Sequence, residues 1–348
     1  MTVSHEEATS VFTAIWADLL GVPAGPGDNF FDLGGYSLLV VDVVERARAA
    51  GLRIRALDVF EQPTAEALAR VALGGADPGF RPDMVGHVWR TSASPWDAPP
   101  SLVPLVPDGD REPLFVVHLG TGHVRLFTAL AEQVRCGRPV HGFEAIGYRA
   151  RVRPFLSIGE TADRYLEELR AAQPVGPYHL AGLCAGGVIA LEMAQRLRAA
   201  GEEVAALVLV DLPFGMPELD PGWGLNEHFE YMLGALRVQF GLHDPVADLP
   251  GVLAELQRRV WFEDTDRAED FYRLVVLWAA AQYSQEHYEP RPYTGPVTVV
   301  SAAEHVDRAR AYWAPTLPGA EYCVTDDVRM THLLREPGVA DAFVKALT

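Results

Sequence analysis

The sequence predicts two joined units of different fold class, a small all-α bundle followed by a larger α/β unit on a mainly parallel sheet. Three observations carry this prediction. The segment Leu73 to Leu102 is rich in Gly, Pro, Ser and Asp and has neither helical nor strand period, which marks a linker. Before it, apolar residues recur every three or four positions. After it, apolar runs of strand length alternate with amphipathic segments, the signature of parallel strands joined by crossover helices. The 348 residues also exceed what one ordinary core organises. The boundaries are therefore placed at 1–75 for the bundle, 76–100 for the linker and 101–348 for the α/β unit.

In the bundle, the first helix is predicted over Glu6 to Leu20, where Val11, Ile15 and Leu19 fall at spacings of four. A second follows over Ser37 to Ala50, and a third over Thr64 to Leu73, entered through Pro63. A bundle of about seventy residues buries little core and is marginal by size. Between the first two helices lies Asp28-Asn29-Phe30-Phe31-Asp32-Leu33-Gly34-Gly35-Tyr36-Ser37-Leu38-Leu39. At its simplest, Ser37 is a helix cap whose hydroxyl accepts a backbone N–H. The whole string closely resembles the carrier-protein motif of nonribosomal peptide synthetases. Ile54 to Thr64 resembles the later carrier helices, so the likeness covers residues 6 to 73. It implies a carrier four-helix bundle in which Ser37 bears 4′-phosphopantetheine, attached by a separate phosphopantetheinyl transferase. A helix N-terminus, with its dipole and unpaired N–H groups, favours such a phosphodiester. Tyr36 departs from the His or Asp common before this serine, which alters the surface the transferase meets.

In the α/β unit, strands are predicted at Leu114 to Val117, Val140 to Phe143, Tyr178 to Leu183, Val204 to Asp211, Val297 to Ser301 and Glu321 to Val324. Between Pro213 and Pro292 the rhythm stops, and amphipathic segments such as Glu227 to Phe240 and Ala268 to Gln285 replace it. That interruption, about 213–292, predicts a helical lid insertion. Its aromatics Trp223, Phe229, Tyr231, Phe240, Trp261, Phe271 and Trp278 stand at helical spacing, as core residues do, and none is assigned to binding.

The strand ending at Ala181 runs into Gly182-Leu183-Cys184-Ala185-Gly186-Gly187 and then a helical Val188 to Ala200. Strand, sharp glycine-flanked turn and helix form a nucleophile elbow, which projects its central side chain at a helix N-terminus. The pattern resembles the Gly-x-Ser-x-Gly of α/β-hydrolases with sulfur in place of oxygen. Cys136, in a loop, and Cys323, in a strand-like run, lack this setting and read as small apolar groups. A cysteine here is either native or a replaced serine, and the sequence leaves both open. A thiol attacks efficiently when a base or a helix N-terminus stabilises its thiolate. In this fold the order is nucleophile, acid, histidine. Asp211 follows the apolar run Ala206 to Val210 at the C-terminal edge of a strand, and His332 follows the last predicted strand. Asp307 and His305 are the rivals; position favours Asp211 and His332. The segment His118-Leu119-Gly120-Thr121-Gly122 resembles the thioesterase loop that donates one oxyanion-hole N–H, from Leu119 or a neighbour, Ala185 supplying the other.

Taken together, nearly the whole chain resembles the terminal carrier–thioesterase pair of a nonribosomal peptide synthetase. The likeness implies transfer of a peptidyl thioester from the Ser37 arm to Cys184, with His332 as base and Asp211 orienting it. Release then follows by macrocyclisation, aminolysis, oligomerisation or hydrolysis, with upstream condensation and adenylation modules as partners. An editing thioesterase would share the second unit but normally acts without a fused carrier, and a noncatalytic interaction module would leave Cys184 unacylated. Twenty-nine basic against 47 acidic residues give a net charge of −18, which repels nucleic acid and anionic membranes. Three cysteines without paired spacing argue against a disulfide framework or a metal site. No long apolar run or basic-then-apolar leader occurs, so a cytoplasmic chain is expected.

Overall fold

A computed structural model describes residues 3–35, 37–54, 58–59, 62–74, 93–150, 152–214, 225, 227–229, 231–232, 268–326 and 336–348. The chain divides into two compact units, Met1–His87 with Met216–Val275, and Val88–Gly215 with Val276–Thr348.

The first unit is helical. Helix α1 (His5–Leu20) opens on a capping box: the Ser4 hydroxyl accepts the Glu7 N–H at 3.2 Å and the Glu7 carboxylate accepts the Ser4 N–H at 2.7 Å. It closes at Gly21, whose φ of 67° ends the helix in the left-handed region. Helices α2 (Ser37–Ala49) and α3 (Ala65–Ala72) follow, α3 being capped by Thr64. Phe12, Trp16, Phe30, Val40, Val43, Val59 and Leu68 are each buried. Asp58 and Val59 are helical, and residues 55–57 and 60–61, where the four-helix expectation puts the remaining helix, lie outside the described residues.

The second unit contains β1 (Leu102–Val106), β2 (Leu114–Val117), α4 (Arg125–Val134), β3 (Val140–Phe143), α5 (Ile158–Ala172), β4 (Tyr178–Leu183), α6 (Ala185–Ala199) and β5 (Val204–Val210). After them come α7 (Ala268–Glu286), whose residues up to Val275 group with the first unit, then β6 (Thr298–Ala302), α8 (Val306–Trp313), β7 (Glu321–Thr325) and α9 (Pro337–Leu347). The 7-stranded sheet has the order β1-β3-β2-β4-β5-β6-β7 and is parallel except for β1. Alternate side chains leave opposite faces of each strand. Phe115, Tyr178 and Leu180 pack with Tyr165 and Leu169 of α5 and Val188 and Leu191 of α6. Leu114, Val116, Ala181 and Leu183 pack on the other face with Phe127 of α4 and Phe343 of α9. Each such burial contributes roughly 1.5–3 kcal/mol for a large apolar side chain. Central β4 is buried along its whole length, which explains why its sequence reads as a continuous apolar run.

Six strands match the expected ones to within a residue at either end, β5 stopping at Val210. Strand β1 was not anticipated. It contains Pro104 and pairs only with β3, and proline is tolerated in a sheet at just such an edge. From the lid segment, α7 and the helical residues 227–229 and 231–232 are described. Among the described residues no helix is long and apolar enough to cross a membrane, and no group of three or more metal-ligating side chains occurs.

The strand order has one functional consequence. From β2 the chain steps one way to β3, then returns past β2 to β4 on its other side. The carboxyl ends of β2 and β4 therefore flank the point where the winding reverses, which is where open α/β sheets leave a crevice for ligands.

Candidate active site

Cys184 stands at that crevice, between the end of β4 and the first turn of α6. Its φ of 50° and ψ of −121° lie outside the regions ordinary side chains adopt, and such strain persists where the surroundings over-determine it. Two backbone bonds hold it: the Cys184 N–H donates to the Val210 carbonyl at 2.8 Å, and its carbonyl accepts the Gly187 N–H at 2.9 Å. The glycine after the elbow is compulsory. A Cβ on Gly186 would lie 1.9 Å from the His118 carbonyl oxygen, so only glycine lets α6 start this close to the end of β2. Cys184 is partly buried, and its thiol is pushed up to about 12 by desolvation first and the Asp211 charge second; the Ala185 N–H opposes both.

Asp211 follows β5, and Leu183 pairs with Val210 in the register, so Cys184 and Asp211 leave adjacent parallel strands side by side. The Asp211 N–H donates to the Val300 carbonyl at 2.9 Å, and its φ is 50°. Burial raises its carboxyl to about 6. His332 lies outside the described residues. The rival His305 sits at the start of α8 with its ring 5.7 Å from that of Phe214 and Nε2 3.7 Å from the Glu304 carboxylate, and Asp307 belongs to the first turn of the same helix.

Across the crevice, His118 through Gly122 form a tight loop after β2. The His118 N–H donates to the Phe143 carbonyl at 3.2 Å, and the Leu119 carbonyl accepts the Gly122 N–H at 2.8 Å. Leu119 is buried, and Gly120 lies against Ala185 and Trp278: a Cβ there would stand 3.7 Å from the Ala185 methyl and 2.9 Å from the indole. Ala185 and His118 also line a cavity of about 40 Å³. Its remaining wall is mostly apolar, including Ile146, Phe155, Ile189, Leu277 and Ala281. At roughly 10–15 Å³ per water, it has room for about three water molecules.

The other expected site is Ser37, the first residue of α2. The loop before it is anchored by Phe30, whose ring lies 5.3 Å from that of Trp16 and whose N–H donates to the Pro63 carbonyl at 2.8 Å. A Cβ on Gly35 would fall 2.4 Å from the Phe30 ring, so the glycine lets the loop fold over that anchor. The geometry suits an anionic phosphodiester, since a helix start offers backbone N–H groups that its own turn leaves unpaired.

Sequence reasoning singled out His118 without giving it a task, and it did not mark Tyr165. The two meet only through the fold, 47 positions apart, with His118 Nε2 2.9 Å from the Tyr165 hydroxyl. No spacing pattern reports such a contact. Trp278 was noted only among the lid aromatics; Trp223, Phe240, Trp261 and the Phe271 side chain lie outside the described residues, while Phe229 and Tyr231 are buried.

Comparison with known proteins bears on both halves. Residues 10–72 match the phosphopantetheine attachment site, and residues 112–218 match the thioesterase domain. Malpinin synthetase of Mortierella alpina is 36% identical over 207 residues, 59% of this chain and 2% of that protein. A dimodular nonribosomal peptide synthase of Bacillus subtilis (strain 168) is 34% identical over 57% of this chain and 8% of its own length. Atromentin synthetase invA1 of Paxillus involutus is 30% identical over 78% of this chain and 27% of its own. The chain thus spans only a small part of each of these relatives. Among solved structures, the NocB thioesterase domain in covalent complex with a fluorophosphonate nocardicin G analog is 27% identical, with a TM-score of 0.52, over 71% of this chain and all of that one. A holo four-domain nonribosomal peptide synthetase bound to AMP and glycine aligns with 97% of this chain and 26% of its own at a TM-score of 0.59; at 20% identity that likeness is one of fold.

Proposed function

We propose that this chain, a phosphopantetheine carrier domain followed by a thioesterase domain of the α/β-hydrolase fold, releases a peptidyl thioester from a nonribosomal peptide synthetase. Upstream condensation and adenylation modules build the peptide. When bound to Ser37, phosphopantetheine supplies a thiol on a long arm that holds the acyl group as a thioester. The observation that carries the reading is the elbow itself: a strained cysteine at the sheet's switch point, beside Asp211 and against the Gly120 loop.

The chemistry follows from that placement. Cys184 Sγ attacks the thioester carbonyl carbon, and the carbonyl oxygen becomes an oxyanion held by the Ala185 N–H and a donor of the facing loop. A thiol held near 12 attacks only if its proton leaves with the attack, so a base is required. His332 takes that proton, and Asp211 orients and stabilises the resulting imidazolium. On collapse of the tetrahedral adduct His332 would return the proton to the departing thiol as the carbon–sulfur bond to it breaks, leaving the acyl group on Cys184. An amine, hydroxyl or water then attacks the Cys184 thioester in the same manner.

Sulfur sets the energetics of this sequence. Transfer between two thiols is nearly isoenergetic, so the acyl-enzyme keeps its activation, whereas a serine would hold a more stable oxoester. Cys184 therefore favours amine or constrained hydroxyl acceptors, and with them cyclisation or coupling beside hydrolysis.

The test is intact-mass analysis of the full chain, loaded on Ser37 with a peptidyl group and quenched during turnover. Acyl mass on Cys184, absent from Ser37→Ala and blocked by prior alkylation of Cys184, is the expected result. Acylation of another side chain, or undiminished release after alkylation, defeats the reading. A comparison of cyclised and hydrolysed products between the native chain and Cys184→Ser tests the energetic argument; identical ratios remove it.

A further inference from the structure

The loop facing Cys184 contains several backbone N–H groups, and their directions are not equivalent. The His118 N–H is committed to the Phe143 carbonyl of β3 at 3.2 Å. In a planar trans peptide the C=O and the following N–H point opposite ways. The His118 carbonyl is the group that a Cβ on Gly186 would strike, so it faces α6 and turns the Leu119 N–H away from that helix. The next peptide is reversed. The Leu119 carbonyl accepts Gly122 N–H at 2.8 Å and lies 2.5 Å from His118 Nδ1, so it faces back into the loop. Its partner, the Gly120 N–H, points the other way, and Gly120 is the residue that lies against Ala185.

The hydrogen bonds around His118 fix which nitrogen carries the proton. Its ring is buried, with Nδ1 facing the Leu119 carbonyl and Nε2 facing the Tyr165 hydroxyl at 2.9 Å. Burial holds the imidazole at about 4, so it is neutral and has one N–H. A carbonyl only accepts, so the proton sits on Nδ1 and Nε2 accepts from the Tyr165 O–H. Tyr165 is itself fully buried and stacks on Phe143 with ring centroids 4.7 Å apart, and its O–H also lies 3.1 Å from the Glu144 carbonyl. The Tyr165 proton is thus shared between His118 Nε2 and the Glu144 carbonyl, and His118 in turn donates from Nδ1 to the Leu119 carbonyl.

We propose that the Gly120 N–H is the loop's oxyanion-hole donor and that His118, held by Tyr165, is the positioning residue that aims it by pinning the Leu119 carbonyl. The assignment rests on Cys184 being the nucleophile, and it moves the expected donor from Leu119 to its neighbour. Its proposed effect on the donor is exerted through one peptide plane, although its ring also forms part of the cavity wall.

The test separates reactions that build an oxyanion from one that does not. Acylation of Cys184 by S-phenyl thiobutyrate passes through a tetrahedral oxyanion, whereas alkylation of the same sulfur by iodoacetamide is a displacement without one. Both rates are followed by intact mass on the full chain. His118→Leu is expected to slow acylation about ten- to a hundredfold, part of the 10²–10³ cost of deleting a donor outright, with alkylation within about threefold of native. His118→Asn, which places an amide N–H near the Nδ1 position, restores most of the rate. Tyr165→Phe keeps the shape and removes the outer bond, and slows acylation about fivefold, the equivalent of one neutral hydrogen bond. Equal losses in both reactions, or native acylation in His118→Leu and Tyr165→Phe alike, overturn the proposal. A native chain that is alkylated but never acylated at Cys184 defeats the nucleophile itself, and the positioning role with it.

Discussion

Replacing Gly186 by alanine adds one methyl group at the closest approach between α6 and the end of β2. The new Cβ would lie 1.9 Å from the His118 oxygen, 2.8 Å from the Val117 oxygen and 3.0 Å from the His118 carbonyl carbon. Carbon–oxygen contacts settle at about 3.3 Å or more, so the two backbones must part by roughly 1.4 Å. Neither is a flexible side-chain end that can swing aside. Displacement on that scale separates the Ala185 N–H from the facing loop, and a 1 Å error in such a site costs about a hundredfold. Overpacking also destabilises by about 1–3 kcal/mol, which lowers the melting temperature by roughly 2–10 °C in a domain of this size. The adjacent Gly187→Ala is the matched comparison, because its Cβ would meet the tip of Leu212 at 2.9 Å and nothing else within 3.4 Å. Single-turnover cleavage of S-phenyl thiobutyrate, with a thermal melt of each variant, is the assay. Gly186→Ala is expected to lose at least a hundredfold and Gly187→Ala no more than about threefold. A Gly186→Ala chain within threefold of native, or equal damage in both variants, refutes the steric account of the elbow.

Three further outcomes are expected. Asp211 has its carboxyl raised from 3.8 to about 6 by burial, so the folded state holds its proton longer than the unfolded chain does. That contribution is fully present below about pH 4 and is lost as pH rises through about 6; Asp211→Asn should flatten this fall in denaturation midpoints, at most about 3 kcal/mol, while slowing turnover by orders of magnitude. Ala281→Phe fills the small cavity beside Ala185 and should raise KM for branched acyl thioesters more than for acetyl, with equal changes for both counting against the cavity as an acyl site. Phe30→Ala removes a fully buried anchor from a small bundle, and a loss of about 3–5 kcal/mol should leave the carrier largely unfolded by circular dichroism and unmodified at Ser37.

Much of this was written in local pattern, and what was not has a physical reason. The elbow was legible because strand, glycine turn and helix are contiguous and each leaves a periodic trace. Central strands such as β4 were legible because burial on both faces forces unbroken apolar runs. Strand β1 escaped because an edge strand needs neither strong alternation nor the absence of proline, and it adjoins a segment of linker composition. Asp211 was placed by reading where an apolar run stops, which the register with β4 then set beside Cys184. The role of His118 was illegible because it depends on Tyr165, which only the packing of α5 brings to it. Peptide direction in the Gly120 loop is a property of backbone torsion, and glycines in sequence say that a turn is tight without saying which amide faces the cysteine.

Strand β1 is the sheet's outermost, joined to the rest only through β3. The described residues just ahead of it are seated on the α/β core as well: Ala93 bridges Val152, the Trp96 and Phe155 rings meet edge-on with centroids 4.8 Å apart, and the Ala98 carbonyl accepts from Arg164 at 3.1 Å. A load borne by β1 crosses three strand pairings before it reaches β4 and Cys184.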